Sequence, residues 1–143
     1  MTEIITKNER ETKKVAKLLA QACLAEAKKR RRKIAIVIGL QGELGSGKTR
    51  FVQGFAKGLS IRKRLTSPTF VLMKKYKNLY HLDCYRLNKP KDLLDLDFKE
   101  IISNPKNIVL IEWAEKVRKI LPRDRIWIKF KIVSSKRRKI KIL

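Results

Sequence analysis

The sequence predicts an α/β fold in one domain, with a mixed central sheet, flanking helices and antiparallel strands or hairpins. Three observations predict it. Ile34 to Ile38 is an apolar run of strand length, followed by a glycine-rich loop and then by a helical pattern over Phe51 to Leu59. A second run, Asn107 to Ile111, apolar after its first residue, has the composition of a strand buried on both faces. Elsewhere the apolar residues alternate with period two, over Ile126 to Ile132 and Lys139 to Leu143, as hairpin strands do.

The loop between the first strand and its helix carries the most chemistry. Gly42-Glu43-Leu44-Gly45-Ser46-Gly47-Lys48-Thr49 fits the phosphate-binding pattern G-x-x-x-x-G-K-[ST], in the strand–loop–helix order that pattern requires. Glycine lets the backbone turn sharply and aim successive N–H groups at phosphate oxygens, and the positive end of the following helix favours the same anion. Lys48 is placed to reach the β- and γ-phosphates, and the Thr49 hydroxyl to ligate Mg²⁺, which takes oxygen ligands and keeps several waters. The expectation is a P-loop NTPase-like domain that binds ATP with Mg²⁺.

Length and composition narrow the class. A chain of 143 residues buries about 68–70% of its unfolded surface, enough to fold without a disulfide or structural metal. Cys23 and Cys84 stand far apart in no ligand-like spacing and read as small buried hydrophobes in a reducing, cytoplasmic protein. No apolar stretch approaches the eighteen or so residues of a membrane span, so neither a signal peptide nor an anchor, and no membrane partner, is expected. The charge is large: 37 Lys and Arg against 13 Asp and Glu give +24. Such a field attracts polyanions, tRNA among them, yet the basic residues occur in nearly every segment, as a general lysine bias would also produce.

Taken in order, Glu9 to about Lys29 places Val15, Leu18, Leu19, Ala22 and Cys23 at helical spacing, with Asn8 as N-cap and Glu9 and Glu11 in the first turn. The run Lys28 to Lys33 suits a helix C-terminus and also a contact for nucleic acid. Arg62 to Leu65 leads into the hydroxyl-rich turn Thr66-Ser67-Pro68-Thr69-Phe70, in which proline biases Ser67 to an extended backbone. Phe70 to Tyr76 and Leu79 to Cys84 read as strands joined by a tight turn at Lys77-Asn78. Lys89 to Ser103 reads as helical from about Pro90, and Asp83 to Glu100 holds five acidic groups. A helix from about Ala114 to Ile120 stops before Pro122, and Ser134-Ser135 joins the final two strands.

A triphosphatase needs a carboxylate at the C-terminal end of a strand beside the phosphate loop. Asp83 follows Leu79 to Leu82 and Glu112 follows Asn107 to Ile111, each just past an apolar strand where α/β sheets bind ligands. A strand-terminal surface acid or a turn cap would occupy the same places. His81, alone within its strand, fits a structural hydrogen bond better than a general base, and Trp113 and Trp127 fit packing better than base stacking. Tyr80, Tyr85 and Arg86 suit either closure of a core or a clamp on an RNA or protein partner.

The succession GELGSGKT, TSPTF, YHLDCYRL and IEWAEK resembles the bacterial TsaE family, the P-loop ATPase of tRNA threonylcarbamoyladenosine biosynthesis, over almost the whole chain. The first motif is widespread, whereas its combination with Ser-Pro-Thr-Phe, Leu-Asp-x-Tyr-Arg-Leu and Ile-Glu-Trp is specific. The resemblance implies a partner-stimulated ATPase working with a TsaB–TsaD-type complex, which transfers threonylcarbamoyl to the adenosine next to the anticodon. This chain would not perform that transfer itself. It further implies that Lys48 and the loop amides bind phosphates, that Thr49 and Glu112 hold Mg²⁺, and that Asp83 supports the metal or the water. Thr66 to Thr69 resemble a nucleotide-sensing switch, and Thr12, Trp113 and Arg137 would border the nucleotide. Two positions depart from the family's pattern: Ala114 stands where proline commonly follows the tryptophan, and Lys136-Arg137-Arg138 lacks a glycine before its arginine. Two other functions use the same residues: a small-molecule kinase, which needs an acceptor pocket and a mobile lid, and a basic RNA-binding module with a vestigial P-loop.

Overall fold

The computed structural model describes residues 1–29, 31–63 and 73–143. The proposed switch, Thr66 to Thr69, lies outside the described residues. Among those described, seven strands form one mixed sheet: β1 (Thr2–Thr6), β2 (Ile36–Gln41), β3 (Met73–Tyr76), β4 (Leu79–Asp83), β5 (Ile108–Glu112), β6 (Ile126–Ile132) and β7 (Arg138–Ile142). Their order is β1-β7-β6-β2-β5-β4-β3. The central four, β6, β2, β5 and β4, are parallel, while β7 and β1 continue one edge and β3 the other by antiparallel pairing. The expected mixed α/β architecture is therefore present.

The helices cover both faces, and strand alternation decides which core each residue joins. Ile36, Ile38 and Leu40 of β2, with Ile108 and Leu110 of β5, face α1 (Glu9–Lys28) and α2 (Lys48–Gly58), packing on Ala16, Ala20, Phe51 and Phe55. Val37, Val109 and Ile111 point the other way, onto Leu93 of α3 (Lys91–Leu94), Phe98 and Ile101 of α4 (Phe98–Ser103), and Ala114 and Val117 of a 3-10 helix, Ala114–Ile120. Burial on both faces makes these strands continuously apolar rather than alternating.

Several elements differ from the sequence expectation, each for a local reason. β2 runs to Gln41, because ladder pairing with β5 and β6 holds Gly39 and Gln41 extended although neither is apolar. Gly39 admits no side chain there: a Cβ would lie 2.7 Å from the Trp127 ring. The single helix expected over Lys89 to Ser103 is two short ones, interrupted where Asp97 adopts φ 58°, ψ 31°. β1 was not expected, since its five residues are mostly exposed and only pairing with β7 makes them a strand. The hairpin turn at Lys77-Asn78 is present, with Lys77 at φ 56°. Asn8 caps α1 as expected, its Oδ1 accepting the Glu11 N–H at 3.0 Å, while Glu11 Oε1 accepts the Lys7 N–H at 2.7 Å. Cys23 and Cys84 are free and buried in opposite cores.

Candidate functional site

Parallel pairing brings the C-terminal ends of β2, β4 and β5 to one edge of the sheet. Glu112, the last residue of β5, sits opposite both Leu40 of β2 and Asp83 of β4, so the two candidate carboxylates are neighbours beside the glycine-rich loop that follows β2. This edge opens into a cleft of about 810 Å³ lined by Thr12, Gly47, Lys48, Thr49, Asp83 and Glu112, among others. The position matches the rule that open α/β sheets bind ligands beyond the carboxyl ends of their strands.

The loop's conformation depends on its glycines. Gly45 lies at φ 77° and Gly47 at φ 105°, a region that a side chain enters only with strain. At Gly42 the constraint is space, because a Cβ would stand 2.6 Å from Ser46 Oγ and 2.9 Å from Phe130 Cβ. Gly47 is also the N-cap of α2 and contributes no side-chain cap, so this end keeps its positive dipole for an anion. Ser46 is buried with its Oγ unpartnered among the described residues.

Lys48 is buried at the centre of the site. Its Nζ donates to the Gly42 carbonyl and lies 3.5 Å from the centroid of the Trp113 ring. Burial pulls its pKa below the usual lysine value, and the carboxylates of Glu112, Glu115 and Asp83 oppose that shift. Asp83 accepts the Tyr85 N–H at 3.0 Å, and burial raises its carboxyl above the ordinary range. Glu112 is 3% exposed. Its Oε2 lies 2.6 Å from Nε2 of the equally buried His81, so a carboxylate there receives the imidazole N–H. His81 is thus a hydrogen-bonding residue, and the group it orients is one of the site's two acids.

Trp113 lines the cleft and adopts φ 57°, ψ 39°, unusual for a bulky residue and held by packing against Lys48 and Tyr85. Thr12 reaches the same cleft from α1, with its Oγ1 2.8 Å from Thr6 Oγ1. Leu44 and Tyr85 line it too, whereas Glu43 and Gly42 face the neighbouring depression beside β6 and β7, and Arg86 is exposed away from the cleft.

Arg137 is a correction. It is exposed and does not border the cleft, which is lined instead by its neighbours Lys136 and Arg138. Arg138 is the first residue of β7, whereas Arg137 lies in the connection before it. Its Nε donates to the Gly45 carbonyl at 3.1 Å and its guanidinium to the Ser134 carbonyl at 2.8 Å, joining the closing hairpin to the phosphate loop. Glu115 was also missed. Burial raises its pKa, it acts on Lys48, and its Oε1 has no hydrogen-bond partner among the described residues. Its place within IEWAEK was the available signal.

The Thr49 hydroxyl and the carboxylates of Asp83 and Glu112, all lining the cleft, are hard oxygen donors of the kind Mg²⁺ takes. Among the described residues no group of three or more His, Cys, Asp or Glu forms a protein-only metal cage. No described helix is long and apolar enough to cross a membrane.

Comparison with known proteins identifies the family and the fold. The family model described as threonylcarbamoyl adenosine biosynthesis protein TsaE matches residues 6–140. The tRNA threonylcarbamoyladenosine biosynthesis protein TsaE of Bacillus subtilis is 37% identical over 139 residues, covering 94% of this chain and 80% of that protein. Its counterpart in Rickettsia felis is 34% identical over 145 aligned positions, covering 98% and 78% respectively. The crystal structure of Bacillus subtilis YdiB superposes with a TM-score of 0.75 at 33% identity, over 99% of this chain and 83% of that one. The chain therefore belongs to the family of the threonylcarbamoyl adenosine biosynthesis protein TsaE.

Proposed function

We propose that this chain is a Mg²⁺-dependent P-loop ATPase of tRNA threonylcarbamoyladenosine biosynthesis, acting in the cytoplasm with a TsaB–TsaD-type complex and not itself the threonylcarbamoyl transferase. The observation that carries this reading is the convergence of Lys48, Thr49, Asp83 and Glu112 on one cleft at the N-terminus of α2. The loop from Gly42 to Gly47 and the dipole of α2 orient the phosphates, and Lys48 places its charge against the β- and γ-phosphate oxygens. Thr49 and Glu112 would hold Mg²⁺, with His81 fixing the Glu112 carboxylate by its hydrogen bond. When bound, the metal neutralises phosphate charge as a Lewis acid.

Asp83 stands beside Glu112 in register and orients the attacking water as the bond from γ-phosphorus to the bridging oxygen breaks, giving ADP and phosphate. Its elevated pKa makes the ionised carboxylate a better acceptor for the proton of that water. Differential affinity for ATP and ADP then shifts a conformational equilibrium in the partner complex.

The test is ATP hydrolysis by the purified chain with Mg²⁺, alone and with the TsaB–TsaD pair from the same source, beside Lys48→Ala. Partner-stimulated hydrolysis lost in the variant is the expected result. Phosphoryl transfer to an added small acceptor would move the assignment to a kinase, and absence of both ATP binding and stimulation would overturn it.

A further inference from the structure

α1 and α2 pack with their backbones nearly touching, because glycine occupies both contact positions of α2. A Cβ at Gly54 would lie 2.3 Å from the Lys13 carbonyl oxygen, and one at Gly58 would lie 2.6 Å from that of Lys17. So close a crossing leaves a shallow groove over the seam, in which Lys13, Lys14 and Lys17 of α1 run beside Lys57 of α2. The groove continues past Lys57 to Arg62 and Lys63. At its other end it reaches Arg10 and Arg50, both of which also line the nucleotide cleft.

The charge here is one-sided. Among the described residues, eight cations border the two adjoining depressions against a single carboxylate, Glu9, which is 3.3 Å from Arg50. Among the described residues no carboxylate comes within ion-pair distance of Lys13, Lys14, Lys17 or Lys57. Holding so many like charges together costs self-repulsion. Nor is the pattern uniform over the molecule. Residues 90–103, on the opposite layer, carry Asp92, Asp95, Asp97 and Glu100 against only Lys91 and Lys99.

We propose that the α1–α2 groove is a contact surface for the phosphate backbone of RNA, continuous with the nucleotide cleft; the inference rests on the proposed role in tRNA modification and names a surface for that tRNA. Arg10 to Lys17 covers about 10 Å of helix at 1.5 Å per residue, room for a short run of consecutive backbone phosphates. Among the described residues no aromatic side chain lines the groove, so these residues contact backbone irrespective of sequence. Two converging rows of cations suit a polyanion with charge on every residue better than a peptide with scattered carboxylates.

The experiment measures anisotropy of a labelled unmodified tRNA transcript titrated with the full chain between 50 and 200 mM salt. Wild type is compared with Lys13→Gln/Lys17→Gln/Lys57→Gln and with a control of equal charge loss, Lys129→Gln/Lys131→Gln/Lys141→Gln. Removing three phosphate contacts lowers the slope of log affinity against log salt by about 2–3, at roughly 0.7–0.9 per contact. That loss, confined to the groove variant and accompanied by a thermal melt no lower than wild type and unchanged ATP hydrolysis, is the expected result. Equal losses in both variants would show diffuse attraction by net charge and overturn the proposal, as would no loss in either. Poly-glutamate bound as tightly as tRNA, with the same dependence on the three lysines, would make the groove an acidic-polypeptide surface and also overturn it. Absence of ATP turnover in wild type with the groove-dependent RNA binding intact would sink the ATPase assignment and uphold the groove.

Discussion

Replacing Gly54 by alanine gives opposite signs under two physical arguments, which makes it a sharp test of the helix packing. In an exposed helix, glycine to alanine stabilises by about 1 kcal/mol, because alanine loses less conformational freedom. Here the new Cβ would lie 2.3 Å from the Lys13 carbonyl oxygen, 2.6 Å from its Cα and 2.8 Å from its carbonyl carbon. Non-bonded carbon contacts are optimal at about 3.5 Å, so α1 has to retreat by about 1 Å at the crossing. All three obstructing atoms are backbone, and no rotamer change relieves them. Overpacking of this kind costs about 1–3 kcal/mol, and the upper half of that range applies when the backbone itself must move. After the propensity gain the net loss is about 1–2 kcal/mol, or about 2–8 °C of Tm at roughly 2–4 °C per kcal/mol for a domain of this size. The retreat also carries Thr12 away from Gly47, whose Cβ position is 3.8 Å from Thr12 Cγ2, so nucleotide affinity falls with stability. Thermal melts followed by circular dichroism without nucleotide, then nucleotide titration, measure both. A Tm above wild type would refute the close crossing on which the basic groove depends.

Other outcomes follow from the site. His81→Phe leaves the buried Glu112 carboxylate without its donor, costing about 2 kcal/mol or more of stability and about 10–100-fold in Mg²⁺ affinity read by competition or calorimetry; unchanged metal affinity would show that His81 does not orient the ligand. Arg138→Gln should weaken ATP binding by releasing the Gly45 and Ser134 carbonyls, while Arg137→Gln changes stability by less than about 0.5 kcal/mol; equal effects would contradict the assignment of the two arginines. Burial pushes the Cys84 thiol up to about 12 and Cys23 up to about 11, against 9.0 for each unfolded. A raised folded pKa stabilises fully below 9.0 and that contribution is lost as pH climbs through the window to 11–12, so both thiols should resist iodoacetamide at pH 8 and the chain should lose stability above pH 9. Fast alkylation of the folded protein at pH 8 would contradict the burial of both.

The sequence by itself determined the features whose cause is local. The glycine spacing and Lys48-Thr49 specify a phosphate loop because only that backbone, followed by a helix N-terminus, satisfies those residues. Asn8 announces the start of α1, and Ile108 to Ile111 announces a strand buried on both faces, since capping and apolar length act within a few residues. The acids at the strand ends were legible for the same reason. What only the tertiary structure decided are relations between distant segments. Parallel pairing of β4 and β5 makes Asp83 and Glu112 neighbours, and one lateral bond across it turns His81 into the support of Glu112. The register of the closing hairpin selects Arg138 over Arg137, a difference of one residue that periodicity cannot phase without the partner strand. β1 is a strand only because β7 supplies its hydrogen bonds. The charge of the chain follows the same division: the composition gives its sign and size, and the near-touching backbones at Gly54 and Gly58 give the groove that concentrates it.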